Sequence, residues 1–229
     1  MSLETVAVIV MAKVPVAGKV KTRLVGALSP EHAARVHQVF VQHVMSRLQK
    51  LSPPELVMCF DPPQLGPQMY QLVGTRATRY AVQSPGDLGA RMDAVAREIG
   101  QWYGKLLFLG VDSPDVPVTH LTRAAEMLNT NEVVVGPCAD GGFWCLGAQR
   151  MVNLRLLFDG VDWSSGKERE QTIENAQDLE CTCAEADAWD DVDHPEDLQK
   201  LLARLGASGD EDDRKLLAAL SFLPQGVTS

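Results

Sequence analysis

No CxxC pair occurs among the five cysteines (Cys59, Cys138, Cys145, Cys181, Cys183), and an odd number makes no closed disulfide framework, so a reduced, intracellular and cytoplasmic protein is expected. Cys181 and Cys183 lie close together, but without a second pair or a nearby His they point to packing rather than to zinc. Long hydrophobic runs are also missing. Residues 5–12 (TVAVIVMA) are too short to cross a bilayer, and no small-residue cleavage site follows them, so they read as a buried first strand and no membrane partner is expected. Cations are in deficit: 21 Lys and Arg stand against 30 Asp and Glu, a formal charge of −9 that would repel a polyanion and disfavours nucleic acid as a partner. The familiar phosphate-loop signatures are absent too. No GxGxxG follows the first strand, and Gly18-Lys19 is followed by Val where a Walker A motif needs Ser or Thr.

What is present suits one α/β domain. At 229 residues, 45% of them hydrophobic and 22% charged, the chain can bury a substantial core. Apolar runs (VAVIVMA, ELVMCF, ATRYAV, KLLFLG, EVVVG) alternate with amphipathic stretches, a rhythm that predicts a mostly parallel sheet covered by helices on both faces. The clearest helix spans 29–51: Ser29 is a cap, Pro30 stands at the first helical position, and Val36, Phe40, Val44 and Leu48 recur four apart. Residues 206–213 (GASGDEDD) read as a solvated acidic linker, dividing a catalytic domain over 1–205 from a C-terminal helical segment over 206–229.

In such sheets ligands bind beyond the carboxyl ends of the strands. After the first strand, residues 11–24 (MAKVPVAGKVKTRL) place Lys13, Lys19, Lys21 and Arg23 in a stretch without an acid. Flexible backbone at Gly18 followed by clustered cations suits a di- or triphosphate; a solvated basic loop is the plainer alternative. KLLFLG runs into Gly110-Val111-Asp112-Ser113-Pro114-Asp115, which puts Asp112 where a carboxylate could hold Mg²⁺ (or Mn²⁺) together with substrate phosphates. Capping of the next helix is the competing role, more so for Asp115. Asp193, in WDDVDHPEDL, precedes another helix and could cap it or share a cation with Asp112. Two glycine-bearing loops complete the candidate nucleotide site. One carries Asp87 and Arg91, the other Asp140 and Gly141; ordinary turn chemistry explains either, and Asp140-Gly141-Gly142 could be a hairpin turn. His32, His37 and His43 have spacings foreign to a metal motif and are assigned to surface or packing. Trp163, before a polar helical stretch, is either a sugar-stacking wall or part of a capped helix start.

MAKVPVAGKVKTRL, GDLGARM, GVDSPDVP, GPCADGGFWCLG, FDGVDWSS and WDDVDHPEDL occur here in that order. Together they resemble the CofC-like, DUF2064 branch of the glycosyltransferase-A superfamily, over about residues 5–205. The resemblance implies a Rossmann-like three-layer α/β/α sandwich that binds a nucleotide with a divalent cation. It implies metal ligation by Asp112 and Asp193, phosphate handling by Lys21 and Arg23, and site roles for the loop acids Asp87 and Asp140; the residues themselves add Lys13 to the phosphate-handling group and Ala12, Gly18, Arg91 and Gly141 to the candidate nucleotide contacts. Ala139 departs from the acid often found before DGG, and His194 from the usual Thr, which bears on the acceptor and not on the metal ligands. The activity implied is transfer of a nucleotide from a nucleoside triphosphate to a phosphorylated small-molecule acceptor with release of pyrophosphate. The alternatives are glycosyl transfer from a nucleoside diphosphate sugar, and nucleotide binding without catalysis.

Overall fold

The computed structural model describes residues 3–224. Its elements run β1 (Ala7–Lys13), α1 (Pro30–Lys50), β2 (Leu56–Asp61), α2 (Gly66–Val73), β3 (Arg79–Val82), α3 (Leu88–Gly100), β4 (Lys105–Leu109) and α4 (Val118–Met127). They continue with β5 (Val133–Pro137), β6 (Phe143–Gln149), α5 (Leu154–Leu157), α6 (Glu168–Asp178), β7 (Cys183–Glu185), α7 (Pro195–Ala207) and α8 (Glu211–Ala219).

The strands form one sheet in the order β3-β2-β1-β4-β6-β5-β7. Among the described residues only β6 runs antiparallel to its neighbours, so the mostly parallel sheet is present, with a β5–β6 hairpin turning at Asp140-Gly141-Gly142. The central strands β1, β2, β4, β5 and β6 are apolar and buried over most of their length because both faces are covered, while the edge strands β3 and β7 are more open. Val8, Val10 and Ala12 of β1 pack in the layer with α1, α2 and α4. Ala7, Ile9 and Met11 point the other way, toward α3, α5 and α6, completing a three-layer α/β/α sandwich.

Helix α1 starts where Ser29 accepts a hydrogen bond from His32 N–H at 3.1 Å, with Pro30 at the first position. It is buried on two sides. Val41, Val44, Met45 and Leu48 face the sheet, while Ala33, Val36 and Phe40 join a separate cluster with Leu24, Leu28, α7 and α8. Leu216, Leu220 and Leu223, all beyond Gly206, are buried in that second cluster.

Between β2 and β4 the strand order reverses direction about β1, and the crevice beyond the carboxyl ends of β1 and β4 is the topological switch point of the fold. A long return after β7 crosses this edge. Trp189 N–H donates to the Pro137 carbonyl at 3.0 Å, and Val192 N–H donates to the Asp112 carbonyl at 2.8 Å. The second hydrogen bond sets Asp193 beside Asp112, 81 residues earlier in the chain.

Candidate functional site

The loop after β1 is shaped by its apolar residues. Val20 and Leu24 are buried, Leu24 in the cluster under α7 and α8, and the cations between and before them are left facing the crevice. Lys21 takes a left-handed backbone (φ 47°, ψ 41°) and leads into a single 3-10 turn over Thr22–Leu24. That geometry aims the Lys21 side chain inward. Only 3% of it is exposed. Gly18, at φ +72°, has no atom within 4 Å of where a side chain would begin, so the tip of the loop is open.

Lys21 Nζ lies 2.7 Å from Asp112 Oδ1 and 3.2 Å from Asp193 Oδ1, and donates to the Val192 carbonyl at 2.5 Å. Arg23 donates to Asp193 Oδ2 at 2.6 Å. Burial alone would push the Asp112 carboxyl up; the Lys21 ammonium, with His37 and Lys13 farther off, brings it below the usual carboxylate range. Burial likewise opposes the charge on Lys21, yet Asp112 and Asp193 hold its pKa above the ordinary lysine value. Asp191 is pushed up to about 6, by burial first and then by Asp193, Asp140 and Asp112.

Lys21, Arg23, Asp112 and Asp193 line a cleft of about 360 Å³ together with Ala12, Lys13, Lys19, Gln83 and Arg91. Arg91 is braced from behind, donating through Nε to the Gly86 carbonyl at 2.9 Å and through Nη1 to Gln83 Oε1 at 3.0 Å. A second hollow of about 340 Å³ adjoins the cleft through Lys13 and Lys19 and is otherwise walled mainly by Val14, Val16, Pro62 and Leu65.

The remaining candidates stand apart from the cleft wall. Asp87 caps α3, accepting from Ala90 N–H at 2.8 Å. Asp140 accepts from Gly142 N–H at 2.9 Å within the hairpin turn. Gly141, at φ +89°, gives close approach to the chain's own backbone: a Cβ there would lie 1.9 Å from the Gly166 carbonyl oxygen. Trp163 packs edge-on to Phe143 and against Phe158, beneath Gly89.

His37 is the wall residue that sequence reasoning assigned to surface or packing. Its ring is buried, lines the cleft, and hydrogen-bonds the Lys13 carbonyl through Nε2 at 2.9 Å, while Nδ1 has no partner. Burial, then Lys21 and Lys13, hold its pKa below the ordinary value. The signal was its position: 33, 36, 37, 40, 41 and 44 form one helical stripe, and a His within it lies on the buried face. Gln83, immediately after β3, occupied a carboxyl-edge position and was also overlooked. Its side-chain amide donates to the carbonyls of Ala12 and Cys59.

Mg²⁺ is the cation that the family resemblance implies for this donor set. Among the described residues no group of three or more His, Cys, Asp or Glu forms a ready-made metal cage. The site instead offers two carboxylates, with Asp112 Oδ1 buried and lacking any hydrogen bond of good geometry although the Lys21 ammonium is 2.7 Å away. Magnesium commonly takes one or two protein carboxylates and completes its octahedron with water and substrate phosphate, so the residues fit.

The family model "Uncharacterized protein conserved in bacteria (DUF2064)" matches residues 44–165, just over half of the chain. No curated protein matches it significantly. Among solved structures, one from Desulfovibrio desulfuricans G20, described provisionally as a nucleotide-diphospho-sugar transferase, is 27% identical with a TM-score of 0.83, covering 96% of this chain and 97% of that one. A cytidylyltransferase from Leptospira borgpetersenii serovar Hardjo-bovis is 14% identical at a TM-score of 0.59, covering 99% and 98%. A CMP:2-keto-3-deoxy-manno-octonic acid synthetase complexed with CTP is 13% identical at 0.55, covering 89% and 99%. The last two share the fold. All three carry transferase-type descriptions, the first of them provisional.

Proposed function

We propose, from the premise that the chain belongs to the DUF2064 family, that it is a divalent-metal-dependent nucleotidyltransferase acting on a nucleoside triphosphate and a phosphorylated small-molecule acceptor. The observation that carries this reading is the meeting of the basic loop with Asp112 and Asp193 at the switch point, with Lys21 2.7 Å from one carboxylate and 3.2 Å from the other. Two carboxylates for a metal and a run of cations for a polyphosphate are what in-line attack on an α-phosphorus requires.

In this reading Lys13, Lys21 and Arg23 bind the β- and γ-phosphates and neutralise the departing pyrophosphate. Asp112 and Asp193 hold the metal, Mg²⁺ or Mn²⁺, which when bound adds charge neutralisation at the reacting phosphate oxygens. Ala12 and Arg91 form the nucleotide wall of the cleft. Gly18 lets the loop close over the phosphates, while Asp87, Asp140 and Gly141 fix the two flanking loops against the nucleotide and acceptor. The acceptor's own phosphate is the nucleophile, so no dedicated general base is needed. Residues 1–205 carry this chemistry, and Leu216, Leu220 and Leu223 beyond them pack against α1 and α7 without reaching the cleft.

Among the described residues no helix is long and apolar enough to cross a membrane. We assign the protein to the cytoplasm, where nucleoside triphosphates are available and its five free cysteines stay reduced.

A second reading, glycosyl transfer from a nucleoside diphosphate sugar, is favoured by the description of the 27%-identical structure. The products separate the two. Incubation with nucleoside triphosphates, Mg²⁺ and a panel of phosphorylated acceptors is expected to release pyrophosphate. Release of nucleoside diphosphate from a sugar nucleotide, without pyrophosphate from any triphosphate, would favour the second reading instead.

A further inference from the structure

Both oxygens of Asp193 are occupied by side chains of the basic loop: Lys21 is 3.2 Å from Oδ1, and Arg23 is 2.6 Å from Oδ2. Asp112 Oδ1 has the same Lys21 ammonium at 2.7 Å. A divalent cation using these oxygens would sit about 2.0–2.1 Å from each. Each carboxylate oxygen keeps a further lone pair, but a metal ion placed there would stand beside an ammonium or guanidinium, and the repulsion of like charges disfavours it while both loop cations hold Asp193.

Lys21 is also unlike a surface cation that drifts between partners. Its side chain is 3% exposed, its ammonium donates to the Val192 carbonyl at 2.5 Å, and its backbone is in the left-handed region that non-glycine residues rarely adopt. The carboxylates are more open than the cation between them, with Asp112 42% and Asp193 28% exposed. The loop is thus folded onto the acids, while the acids face the cleft.

Resting on the metal-site reading above, we propose that Lys21 and Arg23 form a cationic lock on the Asp112–Asp193 pair. The lock closes the pair to a free divalent cation. A polyphosphate opens it by offering Lys21 and Arg23 another anionic partner, so metal and nucleotide enter as a pair. The two loop cations then have a second task beyond neutralising phosphate: they keep the metal out until a polyphosphate arrives with it.

The test is Mn²⁺ binding to the whole protein without nucleotide, followed by electron paramagnetic resonance of the free ion. Wild type is expected to bind Mn²⁺ weakly. Lys21→Met and Arg23→Gln should each bind it at least about fivefold more tightly, and Asp112→Asn added to either should abolish the gain. Lys19→Gln is the control. It removes the same charge from the same loop at a residue with no ion pair to either acid, and should change the affinity less than about twofold. Arg23 is 57% exposed, so its variant is expected to fold even if burial makes Lys21→Met unstable.

Mn²⁺ affinity unchanged in Lys21→Met and Arg23→Gln, or raised equally in Lys19→Gln, would overturn the lock. The functional reading is judged separately, by metal-dependent binding of nucleoside triphosphate to wild type. If that fails while the two variants still gain Mn²⁺, the lock stands as a property of the metal site alone.

Discussion

Arg204 and Asp115 tie together the two segments that carry the site's carboxylates. Arg204, in the helix that follows Asp193, donates through Nε to Asp115 Oδ2 at 2.7 Å and through Nη2 to Oδ1 at 3.2 Å. Asp115, three residues after Asp112, also accepts from Trp189 Nε1 at 3.1 Å. This contact, with the Val192 N–H to Asp112 carbonyl bond, fixes the separation of the two acids.

Asp115 is buried, so removing its partner leaves a carboxylate with little solvent to stabilise it. Arg204→Met is expected to lower stability by about 3 kcal/mol in urea denaturation. Arg204→Lys should recover only part of this, because a lysine cannot make the paired contact of a guanidinium. Equal stability of Arg204→Met and wild type would show that the tie does not hold the two segments.

Gly141→Ala tests the hairpin. The new Cβ would lie 1.9 Å from the Gly166 carbonyl oxygen, at a φ of +89° that alanine resists. A loss of more than about 2 kcal/mol is expected. Gly209→Ala, with nothing within 4 Å and no positive φ, should stay within about 0.5 kcal/mol of wild type. Similar melting temperatures for the two variants would contradict the close approach of the two loops.

Asp112→Asn should reduce turnover by about 100-fold or more in protein that still folds, with a lowered melting temperature because the buried Lys21 ammonium loses its 2.7 Å partner and keeps Asp193 and the Val192 carbonyl. The substitution keeps the shape of the side chain and removes the charge shared by Lys21 and the proposed metal. Activity that survives with its metal dependence unchanged would remove Asp112 from the site.

His43 gives the fold a pH dependence away from the cleft. Burial first, then Arg47, lower its pKa to about 4 from 6.5. Since the folded-state value lies below the unfolded one, the stability linked to the neutral ring is complete above about pH 6.5 and is lost as the pH falls toward 4. The shift corresponds to at most about 3 kcal/mol. Thermal melts of wild type and His43→Gln between pH 7.5 and 4.5 should converge as the pH falls; parallel curves would contradict the assignment.

Much of the architecture was legible because each strand and helix carries its own signal. The cap and apolar spacing of α1 predict a helix over 29–51, and it spans Pro30–Lys50. The two-faced apolar strands predict a covered sheet, and Val8 and Ile9 do pack on opposite sides of it. What adjacent residues cannot encode is which distant segments meet. The contact of Lys21 with Asp112 and Asp193 depends on a chain return fixed by Val192 and Trp189, and no local pattern announces it. His37 was missed because metal-motif spacing was weighed and helical facing was not. Gly141 shows the converse: a glycine that permits close approach can be serving another loop of the same chain rather than a ligand.

The central claim is that the cleft binds a nucleotide together with a divalent metal. Its most direct test is a thermal-shift panel of nucleoside triphosphates and nucleoside diphosphate sugars, each with Mg²⁺ and again with EDTA. A ligand at about a hundred times its dissociation constant adds about 2.7 kcal/mol, which raises the melting temperature of a domain this size by roughly 5–10 °C. Such a shift is expected with at least one nucleoside triphosphate in Mg²⁺, and its loss in EDTA. No shift with any nucleotide, or one that EDTA leaves intact, would contradict it.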